Sequence, residues 1–397
     1  MATVSAAERR AGRLEPSTVA VLLERLAEDG HALLEGALDP AQLDAMALRL
    51  DAHAAHAALD PERLIRDCGE GQHFGHIQLG LPRDETVTAG LLSNPFIEQL
   101  AEAALGQGAF LGFFNGNTCL PDSGRQGLHS DAQWTWQTEQ DARAAGQAWP
   151  HAPTQVVFQF GVRDITPDNG AAEIWPGSNQ DVRWCTGDQS SLEVQQDTEQ
   201  VEHSTGEAGR FAHVVVARRE EGAGPERLLM PKGAIALRDP RMWHNGTNNE
   251  SKLPRHMLAL IYSTACLHPE TGNHPDRHDR LVNFNPTALM FSERAKPSMQ
   301  AGTNSSSFNV SKPIQWVGGD VDHFGNAKAD NVPDSDHNGR AEHKGGPWDS
   351  GHPRVRYWCP DASTLSEVAA ARQAEHGDVP EWVWGIASRC SGASARL

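Results

Sequence analysis

Cysteine is sparse: six residues (68, 119, 185, 266, 359 and 390) are scattered over 397 positions without a CxxC pair. That excludes a zinc ribbon and a dense disulfide framework. Basic residues are also few, 34 against 52 acidic ones, for a formal charge of −18. Phosphate-rich surfaces are bound by clustered Lys and Arg, so neither a nucleic acid nor an anionic membrane is expected as a partner. The N-terminus lacks an apolar signal core, and no run reaches transmembrane length. A cytoplasmic protein is the expectation, acting on a small molecule; a homo-oligomer is compatible with it. Internal repeats are absent.

What is abundant is turn chemistry, with 37 Gly and 24 Pro. Residues 1–15 read as a loose tail. Apolar spacing then predicts helices from Pro16 to about Asp29 and from about Leu38 to His56, with Leu43, Met46, Ala47 and Leu50 inward. A third helix is expected over Pro95–Leu105. Strands are expected at His31–Glu35, Ala109–Phe114, 156–162 (Val156, Phe158, Phe160 and Val162 alternating), 211–218, 233–238 and 256–263. The polar stretches 137–153, 186–210 and 297–352 read as excursions outside the strands. A last helix is expected around Asp361–His376, with Asp361 or Ser363 as N-cap, followed by an aromatic anchor at Glu381-Trp-Val-Trp384. Many short strands with helices gathered at the N-terminus predict a mainly β (α+β) fold, a jelly-roll or barrel core with flanking helices. The chain reads as one domain, with a core at about 16–264 and an extension, 265–397, packed on or lidding it.

Chemistry concentrates in Gln126-Gly-Leu-His129-Ser-Asp131-Ala-Gln-Trp134-Thr-Trp136. In an extended strand, residues i and i+2 share a face, so His129 and Asp131 can reach one metal. An HxD pair is weak by itself in a chain with nineteen histidines. A third ligand is available in Arg238-Asp-Pro-Arg-Met-Trp-His244, and two histidines with one carboxylate form the facial triad of non-heme Fe(II) oxygenases. The same side chains could be ordinary polar residues, a zinc hydrolase site or a structural metal site in a non-catalytic jelly roll.

Three blocks in order, Gln126–Trp136, Asp168-Asn-Gly-Ala-Ala-Glu-Ile-Trp-Pro-Gly-Ser178 and Gly233–Tyr262, resemble the phytanoyl-CoA dioxygenase-like family of Fe(II)/2-oxoglutarate oxygenases. The opening Leu26–Leu38 is similar to the family's N-terminus. The resemblance implies a double-stranded β-helix (cupin-like) core holding Fe(II) through His129, Asp131 and His244. It implies 2-oxoglutarate as cosubstrate, decarboxylated to succinate and CO2 with O2. By the same resemblance, Arg255 grips the distal carboxylate of 2-oxoglutarate, for which a planar guanidinium suits better than an ammonium. Gln126 resembles a glutamine that helps hold the cosubstrate. Ala172 stands where some relatives carry a cosubstrate-binding threonine, and Asn179 where a histidine is usual. Trp134, Trp136 and Trp243 are candidate substrate-pocket walls, and His73 and His76 fall where the family places part of its substrate entrance. Hydroxylation of a C–H bond in a small organic metabolite is the expected reaction, with desaturation or cyclisation as the alternative. Asp131 argues against halogenation, because halogenases of this type lack the carboxylate ligand.

Overall fold

The structure is a computed structural model and describes residues 1–59, 75–77, 91, 94–126, 128, 130–132, 134–136, 138–182, 212–264 and 364–393. Near the N-terminus lie strand β1 (Ala2–Thr3), helix α1 (Ala6–Ala11), helix α2 (Pro16–Asp29), strand β2 (His31–Glu35) and helix α3 (Pro40–Ala58). The middle supplies β3 (His76–Ile77), α4 (Pro95–Leu105), β4 (Phe110–Cys119), α5 (Glu139–Ala144), β5 (Gln155–Gly161) and β6 (Glu173–Ile174). After these come α6 (Ala212–Glu220), β7 (Glu226–Arg227), β8 (Ile235–Arg238), β9 (His244–Asn245) and β10 (Arg255–Ser263). The chain closes with α7 (Leu365–His376) and α8 (Glu381–Ala393).

The helix boundaries follow from local chemistry. Pro16 and Pro40 occupy first turns, where a missing N–H costs nothing, and Gly30 ends α2 at a φ of 77°. Asn94 caps α4, its side-chain oxygen accepting from the N–H groups of Phe96 (3.0 Å) and Ile97 (3.2 Å).

Among the described residues, ten strands form two sheets, one of seven in the order β1-β2-β8-β5-β10-β4-β3 and one of three, β7-β6-β9. All pairings are antiparallel except β1 with β2. Period-2 alternation assigns the faces of the large sheet. Leu34, Val156, Phe158, Phe160, Ile235, Leu237, Leu258, Leu260 and Tyr262 cluster with Leu22 and Leu26 of α2, Leu43, Met46 and Leu50 of α3, and Leu100 of α4. Full burial of each large side chain here contributes about 1.5–3 kcal/mol. The alternate residues Leu33, Ala236 and Met257 instead join Ile174 of the small sheet, together with Leu228, Met230 and Met242. Helices therefore cover one face of the large sheet, and the small sheet packs on the other. The result is a mixed sheet with flanking helices.

Three sequence expectations are corrected. Residues 1–15 are no loose tail: Ser5 and Glu8 form a reciprocal capping box on α1, and Val4 and Leu14 are buried in the core. Segment 211–218, expected as a strand from its valine run, is helical from Ala212 to Glu220, so local β-propensity was overridden by the flanking helix formers. The aromatic anchor expected at 381–384 lies inside a further helix, α8, where Trp382 and Trp384 are partly buried against the apolar cluster. There Val383, Ile386 and Ala387 pack with Leu365 and Ala369 of α7 against Ala52 and Ala55 of α3. Thr364, not Asp361 or Ser363, precedes α7, without a side-chain capping bond; the two expected caps lie outside the described residues. So do segments 186–210 and 297–352. Segment 138–153 carries α5 and contributes no strand.

Candidate functional site

The inner face of the large sheet, the one opposite the helices, brings distant polar groups together. Arg238 ends β8 with its Cα opposite Val157 of β5 and His31 of β2. Its side chain is buried, its Nε donating to Gln159 Oε1 at 3.2 Å and its Nη2 to Asp131 Oδ2. The turn that follows, Asp239-Pro240-Arg241, holds the HxD segment by its backbone. Pro240 O accepts from the N–H groups of Asp131 (2.9 Å) and Ala132 (3.1 Å). Arg241 and Asp239 form a buried ion pair at 2.6 Å, and Arg241 Nη1 donates to His151 O at 2.9 Å. The turn is thereby rigid on both sides.

His244 opens β9, its Cα opposite Ile174 of β6. Its Nε2 lies 3.3 Å from Asp131 Oδ1. Its Nδ1 lies 3.0 Å from Met242 O and 3.2 Å from Arg238 Nη1. Two tautomers fit these neighbours: with Nε2 protonated, Nδ1 accepts from Arg238 and Nε2–H meets Asp131; with Nδ1 protonated toward Met242 O, the Nε2 lone pair faces Asp131 Oδ1. In the second tautomer Nε2 and Oδ1 both offer lone pairs to the space between them, which suits a cation. His129 lies outside the described residues, and among those described no cluster of three His, Cys, Asp or Glu could hold a metal.

Arg255 begins β10 with its Cα opposite Cys119. It is buried; Nη2 donates to Gly170 O at 2.7 Å and Nη1 reaches Asn117 O at 3.5 Å, while Nε is buried without a hydrogen-bond partner. Gly170 sits at φ 82°, and a Cβ there would meet Cys119 Sγ at 2.9 Å and Thr247 O at 3.0 Å. Only glycine brings its carbonyl so close to the arginine. Gln126 is tied to the segment after His244: its N–H donates to Gly246 O and its Oε1 accepts from Gly246 N–H, both at 2.9 Å. Its amide oxygen is thus committed to the backbone.

His76 is fully buried, not an exposed entrance residue, with Nε2 donating to Gly124 O at 3.0 Å. Burial above all, and then the Arg255 cation, push its pKa down to about 4, against a raising contribution from the Gly124 carbonyl. His73 lies outside the described residues. Trp243 is likewise fully buried, packed against Trp175 (6.0 Å between centroids) and the Arg218 guanidinium; it is a core side chain rather than a pocket wall. Trp134 packs between Arg241 (4.3 Å) and Trp149 (5.3 Å). Half-buried Trp136 meets His151 edge-on at 4.8 Å. Asn179 contacts Ala27 O and Asp239, away from the Asp131–His244 pair.

Sequence reading missed Arg238, although an arginine inside an apolar strand had to find a partner if buried. It also missed a network on the helix-facing side. Asp51 of α3 accepts from Arg163 at 3.0 and 2.5 Å and lies 3.1 Å from His256 Nε2, while His256 Nδ1 lies 2.8 Å from Thr118 Oγ1. Arg389 of α8 approaches Asp51 at 3.5 Å.

L-proline trans-4-hydroxylase of Streptomyces griseoviridis is 26% identical over 212 residues, 52% of this chain and 72% of its own length. Ectoine dioxygenase of Nocardia farcinica is 24% identical over 239 residues, 59% of this chain and 74% of its own. Among solved structures, EctD from S. alaskensis with 2-oxoglutarate and 5-hydroxyectoine covers 63% of this chain and 76% of its own, at 17% identity and a TM-score of 0.40. The epimerase SnoN in complex with Fe3+, alpha-ketoglutarate and nogalamycin RO covers 64% and 86%, at 16% identity and the same TM-score. The profile described as phytanoyl-CoA dioxygenase (PhyH) matches residues 26–257, more than half of the sequence. The chain belongs to the phytanoyl-CoA dioxygenase (PhyH) family of iron- and 2-oxoglutarate-dependent dioxygenases.

Proposed function

We propose that this dioxygenase hydroxylates a C–H bond of a small polar metabolite, at an iron held by His129, Asp131 and His244. The observation that carries the assignment is the approach of Asp131 Oδ1 to His244 Nε2, from segments far apart in sequence. Metal bonds of about 2.0–2.2 Å meeting near a right angle put two donor atoms roughly 3 Å apart, close to the 3.3 Å found. The donor set, one carboxylate and two imidazoles, suits Fe(II) and leaves three positions open. When bound, iron with 2-oxoglutarate and O2 supplies the oxidant, and succinate and CO2 are released.

The side chains divide the remaining work. The His244 ring is oriented by Met242 O, 3.0 Å from Nδ1, so that Nε2 faces Asp131 Oδ1. Arg255 holds the distal carboxylate of 2-oxoglutarate; its unpartnered, buried Nε and its Nη2 offer an incoming anion a charged donor edge. Gln126 fixes the spacing between the HxD segment and the strand end that bears His244. Trp136, the half-buried member of the aromatic group, is the candidate substrate contact. The seven- and three-stranded sheets form the two halves of a double-stranded β-helix, a reading supported by their joint apolar cluster. Helices α7 and α8 belong to the extension that buttresses this core at α3. No described helix is long and apolar enough to cross a membrane.

The substrate class is supported by the relatives named for proline and ectoine. The test is succinate formation in air with Fe(II), 2-oxoglutarate and a panel beginning with L-proline and ectoine, with product mass read in parallel. A gain of 16 Da (one oxygen atom) is expected in a stimulating substrate. A loss of two hydrogens would replace hydroxylation by desaturation or cyclisation. Undiminished succinate formation by His244→Ala would remove the metal assignment.

A further inference from the structure

The family resemblance gives Arg238 no role, yet its guanidinium touches both described members of the proposed ligand set, Asp131 and His244. It lies on the central part of the large sheet, anchored through Nε to Gln159 Oε1 at 3.2 Å. From there its outer nitrogens reach Asp131 Oδ2 and come within 3.2 Å of His244 Nδ1. The arginine is 1% exposed, whereas the Asp131 side chain is 31% exposed. The fixed partner is therefore the arginine and the guided one the aspartate.

Resting on the iron assignment above, we infer that Arg238 is a positioning residue that makes Asp131 a one-oxygen ligand. Its Nη2 holds Oδ2, with the rest of the planar group fixed by Nε on Gln159 and Nη1 beside His244, so that Oδ1 is the oxygen on the side of His244 Nε2. A carboxylate free to rotate could offer both oxygens to a metal and so consume one of three open positions that the cosubstrate and O2 need. It could also swing toward solvent, since it lies at the rim of the site. Arg238 closes both routes through geometry, a task to which a lysine point charge is poorly matched. A cation beside the site also repels a divalent metal. Substituting lysine keeps that repulsion and removes only the planar group, so it isolates the positioning effect.

The test is calorimetric titration of metal-free protein with Mn(II), together with metal-free melting temperatures, for wild type, His244→Ala, Arg238→Lys and Gln159→Leu. Wild type is expected to bind one Mn(II) and His244→Ala to lose it. Arg238→Lys should bind Mn(II) roughly 10- to 100-fold more weakly, the usual loss when a group orienting a ligand is changed. Gln159→Leu, which leaves the arginine but removes its anchor, should lose roughly two- to tenfold. A purely structural role for Arg238 predicts a lower melting temperature with wild-type Mn(II) affinity, and that result overturns the inference alone. If Arg238→Lys does not fold, Gln159→Leu decides: weaker Mn(II) binding supports the inference and unchanged affinity overturns it. Failure of wild type to bind, or wild-type affinity in His244→Ala, overturns the iron assignment and this inference with it.

Discussion

His76 gives a quantitative test of how the interior beside Arg255 is built. The imidazole is fully buried, donates through Nε2 to Gly124 O, and has a pKa of about 4 instead of 6.5. Desolvation is the main cause, and the arginine adds to it. The unfolded chain therefore takes up a proton at a higher pH than the fold does. Stability from the neutral ring is fully present above about pH 6.5 and is lost as pH falls from there toward 4. Between about pH 7 and about pH 5 the loss from this one group is roughly 2 kcal/mol. Other groups respond in the same direction: His256 and His31 also have lowered pKa values, each chiefly from burial. The diagnostic quantity is thus a difference between proteins. His76→Gln keeps a donor for Gly124 O but cannot be protonated. Urea unfolding of metal-free wild type and His76→Gln at both pH values should show the variant losing about 2 kcal/mol less on acidification. Equal losses within about 0.5 kcal/mol would show that the ring is already solvated in the fold and that its burial has been misjudged.

Arg255→Lys should weaken 2-oxoglutarate binding to Mn(II)-loaded protein by about ten- to a hundredfold, corresponding to roughly 1.5–3 kcal/mol of charge-assisted hydrogen bonding; an unchanged dissociation constant in calorimetry removes the clamp assignment. Asp131→Gly should abolish hydroxylation and lower the melting temperature without unfolding the protein, because it removes little core volume but leaves the buried Arg238 without its carboxylate; near wild-type turnover, read by mass spectrometry, would contradict its role. Asp51→Asn should destabilise the fold by about 3–5 kcal/mol, the cost of breaking a buried ionic network while Arg163 and His256 remain; urea denaturation showing less than about 1 kcal/mol would mean that water already reaches the network.

How much of this was legible depended on whether a signal was local. Helix α4 was readable to its ends, because Pro95, the Asn94 cap and the terminal Gly106 all lie within one short window. Strand β5 announced itself through Val156, Phe158 and Phe160. The capping box Ser5-Ala-Ala-Glu8 was equally local but escaped notice in a short polar terminus. Helix α6 failed for the opposite reason, since Val214-Val-Val216 favours a strand when read alone. The partnership of Asp131, Arg238 and Gln159 could not be read along the chain, because it depends on which strands become neighbours. Alternation assigns Arg238 to the face of Ala236, but only the order β8-β5 delivers Gln159 to it. His256 illustrates the same limit: its neighbour Arg255 faces the site, while His256 meets Asp51 among the helices.

That strict alternation makes the large sheet a partition between two economies of change. A substitution at Leu258 or Leu237 is felt by the helices, whereas one at Met257, Arg238 or Gln159 is felt by the chemistry, although the positions are adjacent in sequence or register. The helix-facing layer can therefore be repacked for thermal endurance while the opposite layer diverges toward new substrates. The crossing point is the Arg255–His256 pair, where one dipeptide reports to both sides.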